Sequence, residues 1–458
     1  SARRSCRWAS VSCRSGSPYA LSGVSSGSDN RMGTPLSVVI ALLALLGAPL
    51  FVVILAAAML GFHLSEIPLT VIPIEIYRLV DTPLLLALPL FTFSGYVLAE
   101  SNLSTRLVRL TEVFLGWMPG GLAVVAFVTC AFFTAFTGAS GVTIVAVGAL
   151  LYPALMESGY REKFSLGLVT TSGSLGLLLA PSLPLILYGV IVQQMDLPAP
   201  FSIQDLFIAG ILPALLMIVM LTGYSIWANR GSVVRTRRFS REEAVSALGA
   251  AKWEIPLPFI VLGGIYSGFF AVSEAAAVTA FYVLFVEVVV HREVAYGKLP
   301  SIIRDSMVMV GGILLILGVA LAFTNFLIDA EVPQLLFEWI RGFVQDKLTF
   351  LILLNLILLL LGAMLDIFSA LVIMIPLIVP VAIGFGVDPI HLGIIFLANM
   401  QIGYFTPPIG MNLFIASYRF ERSITELYHA TIPFMIVLLV ALGIITYVPW
   451  LSLVFLDR

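Results

Sequence analysis

Two short segments hold the residues with the clearest chemistry. One reads Thr137-Gly138-Ala139-Ser140-Gly141-Val142-Thr143, the other Gly362-Ala363-Met364-Leu365-Asp366-Ile367-Phe368-Ser369. Each interrupts a long apolar run, each has glycine for a tight backbone turn, and each offers oxygen ligands. Asp366 is the sharpest of these residues. An aspartate at depth in a bilayer costs ~3 kcal/mol on insertion scales, so its carboxylate needs a cation or a proton. The plain alternative is an N-cap for the apolar run that follows, and capping does not exclude coordination. Two further segments are broken by proline. Thr170-Thr171-Ser172-Gly173-Ser174 leads to Ala180-Pro181-Ser182-Leu183-Pro184. Asn399-Met400-Gln401 leads to Thr406-Pro407-Pro408-Ile409-Gly410-Met411-Asn412. Proline lacks the backbone N–H and clashes with the preceding turn. Carbonyls freed there, with Ser, Thr and Asn oxygens nearby, suit a small hard cation, and half-helix N-termini present N–H groups to an anion. The alternative is a simple kink whose polar side chains bond back to the backbone.

These residues need elements to position them, and composition says which kind. Hydrophobic residues make up 60% of the chain, charged residues 11%, and the mean hydropathy is +1.06. Soluble domains carry about 25% charged residues, so the chain has too few to cover a water-facing surface. The net charge of −2 and the lack of a basic block give no sign of nucleic acid binding. Three cysteines form no metal or disulfide pattern. No GxxxxGK[ST], HExxH or GxSxG motif occurs, so neither ATP hydrolysis nor an intramembrane enzyme is expected. Residues 1–31 are Ser/Arg-rich and aperiodic. They read as a disordered leader, better explained as an artificial or mis-assigned extension ahead of Met32 than as a transit peptide.

Apolar spans are expected at 36–61, 83–99, 206–228, 255–270, 275–290, 305–327 and 431–453. Stretches 122–157 and 350–384 read as hairpins, and 164–190 and 390–416 as broken helices. Irregular backbone at membrane depth is tolerated only where protein or a wet cavity surrounds it. Basic residues cluster in loops 229–254 (Arg230, Arg235, Arg237, Arg238, Arg241, Lys252), 100–119, 291–304 and 418–430, whereas 192–205 has Asp196 and Asp205 and no basic residue. The positive-inside rule places the first group in the cytoplasm. The hairpin at 122–157 then enters and leaves on the cytoplasmic side, and that at 350–384 on the outside.

An internal repeat supports this arrangement. A single offset of 226 residues carries Gly167 onto Gly393, Pro181 onto Pro407, and Ser140 and Thr143 onto Asp366 and Ser369. It also carries span 83–99 onto 309–325. The expected organisation is a first repeat at 32–254, a connecting span at 255–274 and an inverted second repeat at 275–458. The fold class is an all-α polytopic membrane protein with inverted-topology repeats, two re-entrant hairpins and two discontinuous helices, which is a transporter signature.

At these motifs the chain resembles the large membrane subunit of tripartite ATP-independent periplasmic (TRAP) transporters, the DctM family. The resemblance runs from about Leu36 to the C-terminus. It is most specific in Thr406-Pro407-Pro408-Ile409-Gly410-Met411-Asn412-Leu413-Phe414, close to the family's TPPxGxNLF. It is also good in Ser172 to Gly176, Pro181 to Pro184 and Gly362 to Asp366. The resemblance implies an elevator-type carrier of the bacterial inner membrane, coupled to sodium and importing an organic anion, often a carboxylate. It implies a small four-helix membrane subunit and a periplasmic substrate-binding protein as partners. Sodium is then expected near Ser140, Thr143, Ser172 and Gly173 in the first half and near Asp366, Ser369, Thr406 and Pro407 in the second. Asn399, Asn412, Ser174 and Pro181 are candidates for the substrate. Ala139 stands where family members often carry a second serine, which puts a side-chain ligand there in doubt. Two other readings stay open: a proton-coupled carrier of another inverted-repeat family, with Asp366 as proton site, and a non-transporting membrane scaffold.

Overall fold

The computed structural model describes residues 36, 38–40, 42–44, 46–118, 120–195, 201–230 and 240–456. The leader at 1–31, Asp196 and the loop arginines 235, 237 and 238 lie outside the described residues. Among the described residues every regular element is helical, and nine helical stretches are long and apolar enough to cross a bilayer. The chain is an all-α, multi-pass membrane protein.

The helices sort into two packed groups. Leu50–Leu64, Val71–Val80, Ala87–Glu100, Pro256–Tyr266, Val272–Leu284 and Leu299–Asp329 pack on one another and are called the scaffold below. The second group holds both hairpins, both broken helices and the spans at 203–228 and 424–447. The groups meet where Ala87–Glu100 packs on Gly121–Thr137 and Leu299–Asp329 on Ile367–Gly384. Gly95 allows the first of these contacts, because a methyl there would lie 2.7 Å from Thr137 Cα. Two amphipathic helices, Leu103–Leu115 and Val332–Arg341, each follow a scaffold helix and lead to a hairpin.

The hairpins are helix pairs, Gly121–Thr137 with Ser140–Glu157 and Lys347–Met364 with Ile367–Gly384. The broken helices are Glu162–Ser172 with Leu183–Gln193 and Pro389–Gly403 with Met411–Phe420. Each breaks where proline and glycine remove helical options, with cis bonds at Ala180–Pro181 and Pro407–Pro408. The starting residues of these elements recur within a few positions of the 226-residue offset.

Three expectations need correction. The span at 36–61 is not continuous: a turn with Gly47 at φ 84° and Pro49 just beyond precedes Leu50–Leu64. The span at 255–270 contains a helix of only 11 residues, Pro256–Tyr266, closed by Ser267 and by Gly268 at φ 72°. Gly362 does not make the second turn. It lies inside Lys347–Met364, and the turn itself uses Leu365 and Asp366 in extended conformation. Its purpose is close approach, since a methyl at Gly403 would lie 2.5 Å from the Gly362 carbonyl carbon.

Candidate functional site: the cavity between the hairpin tips

The first tip forms because Gly138 ends its helix in the left-handed region, at φ 66°, and donates its N–H to the Thr134 carbonyl at 2.7 Å. Ser140 starts the return helix with no side-chain cap on its N-terminus. Its hydroxyl donates to Asn412 Oδ1 at 2.8 Å, which joins the first tip to the broken helix of the other half. Thr143 Oγ1 lies 2.6 Å from Thr134 Oγ1, and that hydroxyl donates to the Gly173 carbonyl at 2.8 Å. Thr143 and Gly173 therefore share a buried oxygen cluster whose centre, Thr134, sequence reasoning missed.

The second tip is organised by Asp366. Its Oδ2 accepts the Ser369 N–H at 2.9 Å and its Oδ1 accepts the Ser369 hydroxyl at 2.5 Å, so it is the N-cap of Ile367–Gly384. Ile367 N–H donates to Tyr404 Oη at 2.9 Å, and Gly410 N–H donates to the Ala363 carbonyl at 3.1 Å. These bonds seat the tip on the second break. Tyr404 was also missed, although it stands two residues before the Thr406 motif.

The remaining candidates are placed differently. Ser172 Oγ donates to the Val169 carbonyl and lies 3.3 Å from Cys130 Sγ, inside the packed group rather than at the tip. Thr406 Oγ1 bonds back to the Ile402 carbonyl at 2.8 Å. Both show the helix back-bonding open to Ser and Thr. Ser174 Oγ donates to the Gln401 carbonyl at 3.1 Å and so ties the two broken helices together. Asn399 Nδ2 donates to Asn355 Oδ1 at 2.7 Å, facing a hairpin arm. Pro181 and Pro407 lie in the breaks themselves, and only Pro181 is buried. Asn399 Oδ1, Gln401 Oε1 and Asn412 Nδ2 are buried without a hydrogen-bond partner in the structure. The two oxygens suit a hard cation and the amide nitrogen suits an anion.

A cavity of about 660 Å³ opens between the tips. Ser140 and Asp366 line it from the hairpins, Tyr404 and Met411 from the second broken helix, and Tyr96 and Met309 from the scaffold. Three helix N-termini converge on it, those of Ser140–Glu157, Ile367–Gly384 and Met411–Phe420. Only the second has a side-chain cap. At the third, the Asn412 and Leu413 N–H groups donate to the Tyr404 and Gly410 carbonyls, and the helix dipole favours negative charge at such ends. His391 is buried and bonded to Ser452 Oγ and the Thr446 carbonyl, both at 3.2 Å.

Two packed helical groups enclose a mostly apolar cavity with polar groups at the hairpin tips, and comparison with known proteins gives the family. The family model for the tripartite ATP-independent periplasmic transporter, DctM component, matches residues 37–451. The chain belongs to this family. It is 32% identical to the C4-dicarboxylate TRAP transporter large permease protein DctM of Rhodobacter capsulatus, over 92% of this chain and 94% of that one. It is 33% identical to the protein of the same description from Pseudomonas aeruginosa, over 83% and 88%. It is 35% identical to the isethionate TRAP transporter permease protein DctMQ of Oleidesulfovibrio alaskensis, over 85% of this chain, and spans 61% of that longer relative. Among solved structures the YdaH transporter of Alcanivorax borkumensis matches with a TM-score of 0.59 at 15% identity, over 84% and 88% of the two chains. MtrF of Neisseria gonorrhoeae matches at 0.52 and 12%, over 80% and 79%. These last two likenesses concern the fold.

Proposed function

We propose that this chain is the solute-conducting subunit of a sodium-coupled importer of an organic anion in a bacterial inner membrane. The observation that carries the reading is the cavity, walled by both hairpin tips on one side and by scaffold helices on the other. The tips are re-entrant in this reading, the first entered from the cytoplasm and the second from outside. Sodium is a transported ion here. The first tip offers it the Ser140, Thr143 and Gly173 oxygens, and the second offers Asp366 and Ser369. Sodium at the second tip compensates the Asp366 charge, which is costly in a low-dielectric site. The solute anion then faces the dipoles of Ser140–Glu157 and Met411–Phe420 at their N-termini and the side-chain Nδ2 of Asn412. Loaded in this way, the hairpin group carries no uncompensated buried charge and slides along the scaffold as an elevator. The membrane potential and sodium gradient supply the work, ~2.3 kcal/mol per charge per 100 mV.

Relatives are named for C4-dicarboxylate, isethionate, ectoine and sialic acid. The proposed solute class is accordingly an organic acid, delivered by a periplasmic binding protein to a complex of this chain with a small membrane subunit. Proteoliposomes holding that complex test the reading. Uptake is expected with an inward sodium gradient, no ATP and no proton gradient. Uptake that follows a proton gradient and ignores sodium would move the chain to the proton-coupled reading.

A further inference from the structure

Away from the cavity, Arg106 is surrounded by carboxylates. Its Nε lies 2.7 Å from Glu254 Oε1, its Nη2 3.1 Å from Glu287 Oε1 and its Nη1 2.5 Å from Glu293 Oε1. His291 Nε2 adds a contact to Glu254 at 3.2 Å. The Asn102 N–H donates to the other oxygen of Glu293 at 2.8 Å. The Arg106, Glu254 and Glu287 side chains are only 10%, 4% and 1% exposed. Burial alone would raise Glu293, but the Asn102 N–H and Arg106 outweigh it and hold the carboxyl below its usual range.

The geometry of the chain gives this cluster its meaning. Arg106 stands in the first turn of the bridging helix Leu103–Leu115. The three carboxylates all come from around the scaffold: just before Pro256–Tyr266, within the last turns of the span at 272–290, and just after it. There the helix widens to π geometry at Phe285–Val290, with Glu287 fully buried. Such local widening is frequent at functional sites. The far end of the bridging helix differs. Thr111 Oγ1 touches Thr129 Oγ1 of the first hairpin at 2.7 Å. The backbone beyond it carries Gly116, Gly120 at φ 73° and Gly121. The second bridging helix has Val332 at the position equivalent to Arg106, and its own Arg341 lies over the Phe337 ring at 5.8 Å.

We infer that Arg106, Glu254, Glu287 and Glu293 anchor the first bridging helix to the scaffold, so that the hairpin group swings about the glycines at 116, 120 and 121. Arg106 is a positioning residue for translocation. The inference rests on the proposed two-body motion. Removing one partner from a buried ion cluster leaves the others uncompensated, so the joint loosens when Arg106 is lost.

Distance measurement by electron spin resonance tests this on the full chain in nanodiscs, with Cys6 and Cys13 replaced by alanine and buried Cys130 kept. One spin-label pair replaces Thr105 and Ser301, the other Met156 and Ser301, all exposed positions. The 105–301 distance is expected to be narrow and equal in sodium and in choline, while the 156–301 distance shifts. Arg106→Met is expected to widen the 105–301 distribution roughly twofold and to slow uptake on the order of tenfold. Sodium-dependent thermal stabilisation should remain. Glu293→Gln, which removes the most exposed carboxylate of the cluster, should give a smaller change of the same kind if Arg106→Met does not fold. A 105–301 distance that moves as far as 156–301, or stays narrow in both variants, overturns the anchor. If 156–301 never moves while the variants still widen 105–301, the anchor stands and the two-body motion falls.

Discussion

Asp366 accepts two hydrogen bonds from Ser369 and also lines the cavity, so one carboxylate both starts a helix and faces that cavity. The two jobs separate in Asp366→Asn, because asparagine caps about as well as aspartate and carries no charge. The expected outcome is an unchanged unfolding midpoint in detergent and a loss of sodium-dependent uptake on the order of tenfold or more. Normal uptake with unchanged sodium dependence would reduce Asp366 to a cap. Ser140→Ala should behave differently. It removes the bond to Asn412, worth about 1 kcal/mol net, together with one proposed sodium oxygen, and should raise both the solute KM and the sodium half-saturation roughly fivefold. An unchanged KM would detach this pair from the solute. Asp366 and Ser140 were legible in the sequence as polar residues interrupting apolar runs. Ser172 and Thr406 were expected near sodium because they flank the proline breaks, and their side chains bond to their own helices. Residue type does not report which way a helical hydroxyl faces.

At the scale of elements, the hairpins and broken helices were legible because their breaks recur at one offset and proline and glycine mark them. The Arg106 cluster was not. Its guanidinium lies far along the chain from all three carboxylates, and only packing brings them together. Gly362 shows a subtler miss: a glycine near an expected turn was read as part of the turn, whereas it meets Gly403 backbone to backbone. Gly403→Ala places a methyl where no flexible side chain can yield, and overpacking of this kind costs about 1–3 kcal/mol. Thermal unfolding in detergent should show that loss. Gly443→Ala, a helical site with nothing within 4 Å, should be neutral or stabilise by up to about 1 kcal/mol. Equal effects at both positions would refute the close-approach role.

For the whole molecule, the decisive question is where the tips lie relative to the two aqueous faces. In the proposed arrangement, cysteines at 139–141 and 364–367 react near mid-depth, and each hairpin returns to the face it entered. Membrane-impermeant thiol reagents applied from either side of oriented vesicles check this. Tips that react fully at opposite faces, with both arms crossing, would abolish the inverted-repeat carrier. The sequence made the helices and their breaks readable because membrane depth restricts backbone to helices and protected breaks. It left the scaffold's share of the cavity hidden, since Tyr96 and Met309 stand in ordinary apolar spans.

The hydrogen bond from Ser140 to Asn412 bears on how chains of this kind can be recombined. The two residues belong to opposite halves, and the segment at 255–274 expected to join the halves would be the natural place to splice one relative onto another. A hybrid cut there keeps each hairpin with its own broken helix yet draws position 140 from one parent and position 412 from the other. Its tip contact is then made by two residues that never had to fit each other, and donors for such hybrids are best matched at this pair before overall similarity is considered.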